Sequence, residues 1–437
     1  MDSIKNNKAL NSSSELYHDN FADVPNIYYL YSSANEYVRN LRNNNDIPVL
    51  LYVNIYGMRL YNKQFGFSEG NKILTILARA LYEVFEDSIV CHASEDHFIV
   101  LTKQIGIEDN IRSIAEIVGS EAKSKFLTIK VGAYIAEDTN YFNTYDAYDK
   151  ARFACGLIHD DAGKNLNYFD KEDFDQYEKE LYIIGNIRNA LDEHQVKVYY
   201  QPICNIKTGK LVAFEALARW IDSGNKVIGP GDFIPEIERH HIISLLDNYM
   251  LNEICKEWKD RQQVGLGNIP ISLNISKDDF RHEDVSDFVI NTINNYNIPH
   301  NLIIVEITES TLYNNYANLK EQLLKLKSAG IKIWMDDFGS EYSSIGMLQT
   351  MDVDLIKLDI NFLRSIDENK NNERLEKSTK LLESAIKLAK SLNIHTLCEG
   401  AETKDQLELL DTLGCENAQG FYFGKPEPLN ETYKTQK

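Results

Sequence analysis

The chain has 437 residues, 43% of them hydrophobic and 26% charged, with a formal net charge of −20. That length exceeds one ordinary domain and suits two or three, each able to bury a core. The acidic balance excludes the basic face that polymeric nucleic acid requires, although a small anionic nucleotide can be held wherever metal ions or local lysines and arginines neutralise the contact.

No run of about 18 apolar residues predicts a transmembrane helix, and the N-terminal MDSIKNNKALNSSSELYHDN lacks the hydrophobic segment of a secretory signal. The six cysteines show no metal-ligand spacing, which reads as reduced, buried thiols in a cytoplasmic protein. Residues 1–24 are expected to be a flexible polar tail. Ile27–Leu41 has helical apolar spacing and leads to a strand over Val49–Val53. An amphipathic helix follows through Ile73, Leu74, Leu77 and Leu81, then paired strands at Ser88–His92 and His97–Leu101. A helix over Asn110–Val118, a strand over Leu127–Ala136 and a helix over Tyr145–Ile158 complete an α+β domain with a central antiparallel sheet, 25–172.

The composition turns acidic near residue 175, and a second domain is expected over 176–432. Its strand candidates are Val196–Tyr200, Val212–Ala218, Pro270–Ile275, Leu302–Ile307, Ile331–Met335, Leu355–Leu358, His395–Cys398 and Ala418–Phe421. Helical segments separate most of them, including Tyr316–Ser328 with Leu319, Leu323 and Leu326 on one face. That alternation predicts a TIM-like β/α barrel, whose chemistry sits at the C-terminal strand ends.

Polar residues recur at those ends: Glu215 and Arg219 in EALARW, Asn274 in LNIS, Glu306 and Glu309 in EITES, Asp336 and Asp337 in DDFG, Lys357 in IKLD, Glu399 and Glu402 in CEGAET, and Gln419 in AQGFYF. Singly, each has an ordinary explanation, such as a Glu215–Arg219 or a Lys357–Asp359 ion pair. Collectively, acids converging on one mouth repel one another unless cations intervene. Two divalent ions would relieve the repulsion and supply a nucleophilic water for phosphodiester hydrolysis. Oxygen ligands without histidine or cysteine favour Mg²⁺ or Mn²⁺.

In the order YYQPI, EALARW, LNIS, EITES, DDFG, IKLD, CEGAET and AQGFYFGKP, residues 176–432 resemble the EAL domain, the cyclic di-GMP phosphodiesterase module. The resemblance implies metal ligands at Glu215, Asn274, Glu306, Asp336 and Asp337. It implies catalytic roles for Glu215, Lys357 and Glu399, the last two placing the water, and substrate-side roles for Gln201, Arg219 and Gln419. Glu309 would steady the DDFG loop, two Mg²⁺ or Mn²⁺ would serve each site, and cyclic di-GMP would open to linear pGpG. A homodimer is implied as well. The family loop reads DDFGTGYSS, whereas Ser340 and Glu341 stand here; glutamate in place of glycine favours the alternative, a cyclic di-GMP receptor that binds without hydrolysis.

The first domain resembles the GGDEF diguanylate cyclase domain in degenerate form. VNIYGMRLYNKQFGFSEGN retains Asn62 and Gly66, but Asn54 and Tyr56 stand where the metal-binding aspartate and its partner are expected, and SEDHF (Ser94–Phe98) replaces GGDEF. Phe85 and Ser88 occupy the places of the RxxD inhibitory motif. A regulatory, non-cyclising domain is implied, with residual GTP binding as the lesser alternative.

Overall fold

The computed structural model describes residues 24–137, 142–159, 164–282, 284–309, 311, 316–339, 348, 351–368, 372–429 and 431. Ser340, Glu341 and residues 1–23, on which expectations about the loop and the polar tail fell, lie outside them. The chain divides into two compact units between Glu178 and Lys179.

The first unit is built on one sheet of five strands, β1 (Pro48–Tyr56), β2 (Ile89–Ser94), β3 (His97–Lys103), β4 (Thr128–Ile135) and β5 (Leu166–Tyr168). Their order is β2-β3-β1-β4-β5, with β1 antiparallel to both neighbours. The alternation of β1 explains the layering. Val49, Leu51, Val53 and Ile55 join one core cluster with Ile73, Leu77 and Leu81 of the helix Phe67–Val84. Leu50 and Tyr52 join another with Leu30 and Val38 of the helix Ile27–Asn43 and with Ala147 and Ala151 of the helix Thr144–Gly156. Both faces are thus covered, and β1 is an apolar run without polar interruption until Asn54. The short strand β5, parallel to β4, was not expected, because three residues carry too little periodicity to register.

The second unit is a closed barrel. Its strands are β6 (Val196–Asn205), β7 (Leu211–Ile221), β9 (Ile271–Asn274), β10 (Ile303–Thr308), β11 (Lys332–Phe338), β12 (Leu355–Leu358), β13 (His395–Cys398) and β14 (Asn417–Gln419), with short additions β8 (Val227–Ile228) and β15 (Glu427–Pro428). From β7 through β14 the pairings around the ring are parallel, whereas β6 runs antiparallel to β7 and to β14 and closes it. The reason is local. Residues 206–210 are too few for a crossover helix, so the first two strands can only fold back as a hairpin.

Outside the ring, Phe214, Ala216, Ala218 and Trp220 of β7 face the helix layer. Inside it, Ile203, Ala213, Ile304, Trp334, Leu355 and Leu397 form a separate apolar plug. Side chains in a strand repeat with period two, so the next inward residues toward the C-terminal ends are Glu215, Glu306, Asp336, Lys357 and Glu399. On the reversed strand β6 the corresponding residue is Gln201, two before Ile203. The helix Tyr316–Ser328 buries Leu319, Leu323 and Leu326 as its pattern predicts, and Gly330, at φ +92°, ends it.

A tight approach in the first unit gives a testable consequence. A Cβ on Gly132 of β4 would stand 1.9 Å from the Ala151 carbonyl oxygen and 2.3 Å from the Cys155 nitrogen. These are backbone atoms of the covering helix and cannot rotate away. Gly132→Ala is expected to destabilise the first unit by about 1–3 kcal/mol, read as an earlier denaturant midpoint for that unit with the barrel's transition unmoved.

Candidate active site

Lys357 is fully buried at the centre of the polar ring. Its Nζ lies 2.7 Å from Glu306 Oε2, 2.8 Å from Glu399 Oε1, 3.2 Å from Asp336 Oδ1 and 3.4 Å from Glu215 Oε1. The two simpler pairings are not formed. Asp359 instead accepts the Asn361 N–H at 2.7 Å, and Arg219 donates to the Ala218 carbonyl at 2.8 Å, with its guanidinium over the Tyr199 ring.

One ammonium cannot neutralise four carboxylates. Burial, then the neighbouring acids, push the Glu306 carboxyl up to about 8 and Glu399 up to about 7, despite the opposing pull of Lys357. Asp337 is raised to about 6 by burial, then by Asp336 and Asp359. Lys357 is held well above the ordinary ammonium range: its burial opposes the charge, and Asp336, Glu215, Glu306 and Glu399 overcome it. The ring is short of positive charge.

The paired aspartates are placed by an irregularity within a strand. The sequence suggests a strand ending at Met335, with the two acids on the turn beyond. Strand β11 instead continues to Phe338, and its register with β12 shifts between Met335 and Phe338. Asp337 sits there at φ +57°, a left-handed conformation that aspartate tolerates better than most residues. Such a bulge re-aims side chains, and it turns neighbouring carboxyls toward the same mouth although strand alternation would oppose them. Gly339 then follows at φ +93°, where a Cβ would meet the Phe362 ring at 2.7 Å. Its N–H donates to Glu309 Oε2 at 3.4 Å.

Carboxylate oxygens from Glu215, Glu306 and Asp336 lie within 4.8 Å of one another, and so do those from Asp336, Asp337 and Glu399. Asp336 is common to both groups. Glu306 Oε1 is buried and has no hydrogen-bond partner among the described residues, an oxygen that a cation would satisfy. Both groups therefore suit hard divalent ions, with oxygen donors alone. Asn274 stands at the end of β9 beside them, its amide donating to Glu215 Oε1 at 3.4 Å.

Gln419 Nε2 donates to Glu215 Oε2 and, at 2.9 Å, to Gln201 Oε1, while Gln201 Nε2 donates to the Gly424 carbonyl at 3.3 Å. Both glutamines are buried and brace Glu215. Arg219 is half-buried four residues further along β7, on the same face. Glu402 is not brought into the site; its N–H caps against Gln406 at the start of the helix Lys404–Leu413. The ordinary alternative for Lys357, a pair with Asp359, is not formed. The spacing of Asp359 from Lys357 suggested a partner, but the lysine points into the ring while Asp359 lies beyond the strand end.

In the first unit Asn54 Oδ1 is buried without a partner and Tyr56 is exposed under the Lys130 ammonium. Glu95, in the SEDHF turn, has φ +46°, a conformation that favours glycine.

Among the described residues no helix is long and apolar enough to cross a membrane. Residues 184–426 match the family model described as the EAL domain, and residues 16–158 match that of the diguanylate cyclase, GGDEF domain. The chain is 24% identical to "Bifunctional diguanylate cyclase/cyclic di-GMP phosphodiesterase MucR" of Pseudomonas aeruginosa over 95% of its own length and 61% of that protein. It is also 24% identical to "Cyclic di-GMP phosphodiesterase NbdA" of the same organism, over 87% of this chain and 49% of that one. It thus spans about half to three-fifths of the length of these curated relatives. Among solved structures, "PaMucR Phosphodiesterase, c-di-GMP complex" matches 58% of this chain and all of that one at 29% identity and a TM-score of 0.54. With a match spanning more than half its residues and the barrel to go with it, the chain belongs to the EAL domain family, and a GGDEF domain precedes the EAL domain.

Proposed function

We propose that the second unit hydrolyses cyclic di-GMP to linear pGpG, and that the first unit is a regulatory domain without cyclase activity. The observation that carries this reading is the Lys357 ammonium enclosed by Glu215, Glu306, Asp336 and Glu399, a ring still deficient in positive charge. Glu215, Asn274, Glu306, Asp336 and Asp337 would hold two Mg²⁺ or Mn²⁺ ions, with Glu399 at their edge. When bound, the ions would supply an activated water and neutralise the phosphoryl oxygens. Lys357 stays charged throughout and keeps the four carboxylates converged, while Gln201 and Gln419 fix the orientation of Glu215. Arg219, the cation further along β7, suits a phosphate of the substrate. Cyclic di-GMP is the ligand in a relative's structure, the PaMucR phosphodiesterase complex; that ligand's two phosphodiester linkages fit a site made of metals and one arginine.

For the first unit, the support lies in what has replaced the cyclase carboxylates. Asn54 and Tyr56 carry no charge for a metal, and Glu95 sets a carboxylate where nucleotide phosphates would approach. A homodimer and residual GTP binding fit the same family reading.

Purified protein incubated with cyclic di-GMP and Mn²⁺ or Mg²⁺ is expected to form pGpG, and Glu215→Ala is expected to abolish the reaction. Tight binding without product in either metal would make the barrel a receptor. Deleting residues 1–170 is expected to change the hydrolysis rate; an unchanged rate and oligomeric state would leave the first unit as scaffold.

The raised pKa values of Glu306 and Glu399 give a further expectation for metal-free protein. Both carboxyls ionise less readily folded than unfolded, where glutamate titrates near about 4.3. Their contribution to stability is therefore full below that pH and is lost as pH rises through about 7 to about 8. Mn²⁺ should raise the melting temperature more at pH 8 than at pH 6, by differential scanning fluorimetry. An equal shift at both would contradict the assignment of these acids to the ions.

A further inference from the structure

Behind the Asn274 loop lies a second pair of acids that the ring does not use. Asp247, on the helix Ile243–Lys256, accepts the Ser276 N–H on Oδ2 at 2.9 Å. Asp279 is buried and accepts the Ser276 hydroxyl on its own Oδ2 at 3.2 Å. Both carboxyls thus converge on one residue, two positions beyond Asn274. Two like charges held against one residue repel, and a proton on one of the carboxyls relieves that repulsion.

The surroundings favour keeping it. Asp247 and Asp279 face a cavity of about 10 Å³ walled by Leu251, Leu273, Ile275, Val285 and Phe288, room for at most about one water. Neither forms an ion pair with any described residue. The charged groups nearby do not help ionisation. Glu238, from the helix Pro230–Arg239, opposes a charge on Asp247; Asp278 is engaged by His241 at 2.8 Å, and Lys277 acts on Glu238. Burial, then Asp279, hold the Asp247 carboxyl well above the ordinary aspartate range. On the other side of the loop, the Ile275 N–H donates to the Glu306 carbonyl at 3.0 Å. Asn274 is therefore fixed between a bond to β10 and the clamp on Ser276.

We propose that Asp247 and Asp279 are positioning residues: an acid–carboxylate pair sharing one proton that holds Ser276, and through it Asn274, at the barrel mouth. The role for Asn274 rests on the two-ion reading above; the shared proton does not.

The test uses full-length protein. Melting temperature of the metal-free form is followed from acid to alkaline pH for wild type, Asp247→Asn and Asp279→Asn, and Mn²⁺ binding is titrated directly for these and for Asp247→Ala. The raised pKa of Asp247 makes that carboxyl stabilising below about pH 4, the ordinary aspartate value, and costly as pH climbs. Either asparagine replaces the shared proton by a permanent donor, so both variants should lose part of the wild-type fall in melting temperature with pH. Asp247→Asn should also bind Mn²⁺ as wild type does, because it keeps the acceptor for Ser276. Asp247→Ala should weaken Mn²⁺ binding about tenfold or more, the usual effect of losing an outer-shell partner. An undiminished pH slope in both asparagine variants overturns the shared proton. Equal loss of Mn²⁺ affinity in Asp247→Asn and Asp247→Ala overturns the positioning role, and loss of one bound Mn²⁺ in Asp247→Asn would make the pair a cation site instead. If wild type binds no Mn²⁺, the two-ion reading and the positioning role fall together, while the metal-free melting curves still decide the proton.

Discussion

The Lys357 ammonium, enclosed by carboxylates from three other strands and from the residue that follows a fourth, is the contact on which the barrel's polar end depends. Burying an ion without partners costs several kcal/mol, and removing one member of a buried pair leaves the others uncompensated. Lys357 meets that condition by contacting acids on β7, β10 and β11 and the residue following β13. Each acid is in turn tolerable only because the lysine is there. The result is a set of charges that cannot be reduced one at a time, which holds the strand ends together in one register. It also leaves the set negative overall, so that the same arrangement that stabilises the ring attracts further cations.

The ring is reached by a simple rule of strand geometry. An apolar plug of Ile203, Ala213, Ile304, Trp334, Leu355 and Leu397 fills the barrel one step below, and a two-residue advance along each strand replaces it by ionisable or amide side chains. The plug denies water access from beneath and lowers the local polarity, which is why Glu306 and Glu399 resist ionisation. Stability and chemistry are therefore stacked in successive layers of the same strands. A shift of one residue in any of them would turn its acid outward into the helix layer.

Much of this was legible in the sequence because barrel strands are short apolar runs interrupted at one end by a charge. All eight strands of the ring were visible that way, and so were Glu215, Glu306, Lys357 and Glu399, whose inward direction follows from period two. Three features were not. The hairpin between β6 and β7 depends on a connection too short for a helix, a matter of topology that an apolar pattern does not encode. The bulge at Asp336–Asp337 breaks the alternation on which strand reading rests, so the acids looked like a turn. Finally, Lys357–Asp359 spacing suggested a pair on one face, yet Lys357 closes contacts with residues 21 to 142 positions away in sequence, which no local pattern reveals.

The two units show opposite treatments of one constraint, that clustered acids persist only where something positive justifies them. In the barrel the carboxylates are retained together with their lysine, and Asp337 accepts a left-handed backbone to join them, a strain of about 1–2 kcal/mol by the ordinary cost for a residue with a Cβ. In the first unit, Asn54 and Tyr56 carry no charge, and Glu95 takes a left-handed conformation in the turn between β2 and β3. Strain kept beside an intact charge cluster is consistent with a working site, because the cluster supplies the free energy that holds it. At Glu95 no such cluster compensates the strain, and it is carried by the fold: β2 and β3 pair on either side of the turn, and the sheet they belong to is buried on both faces.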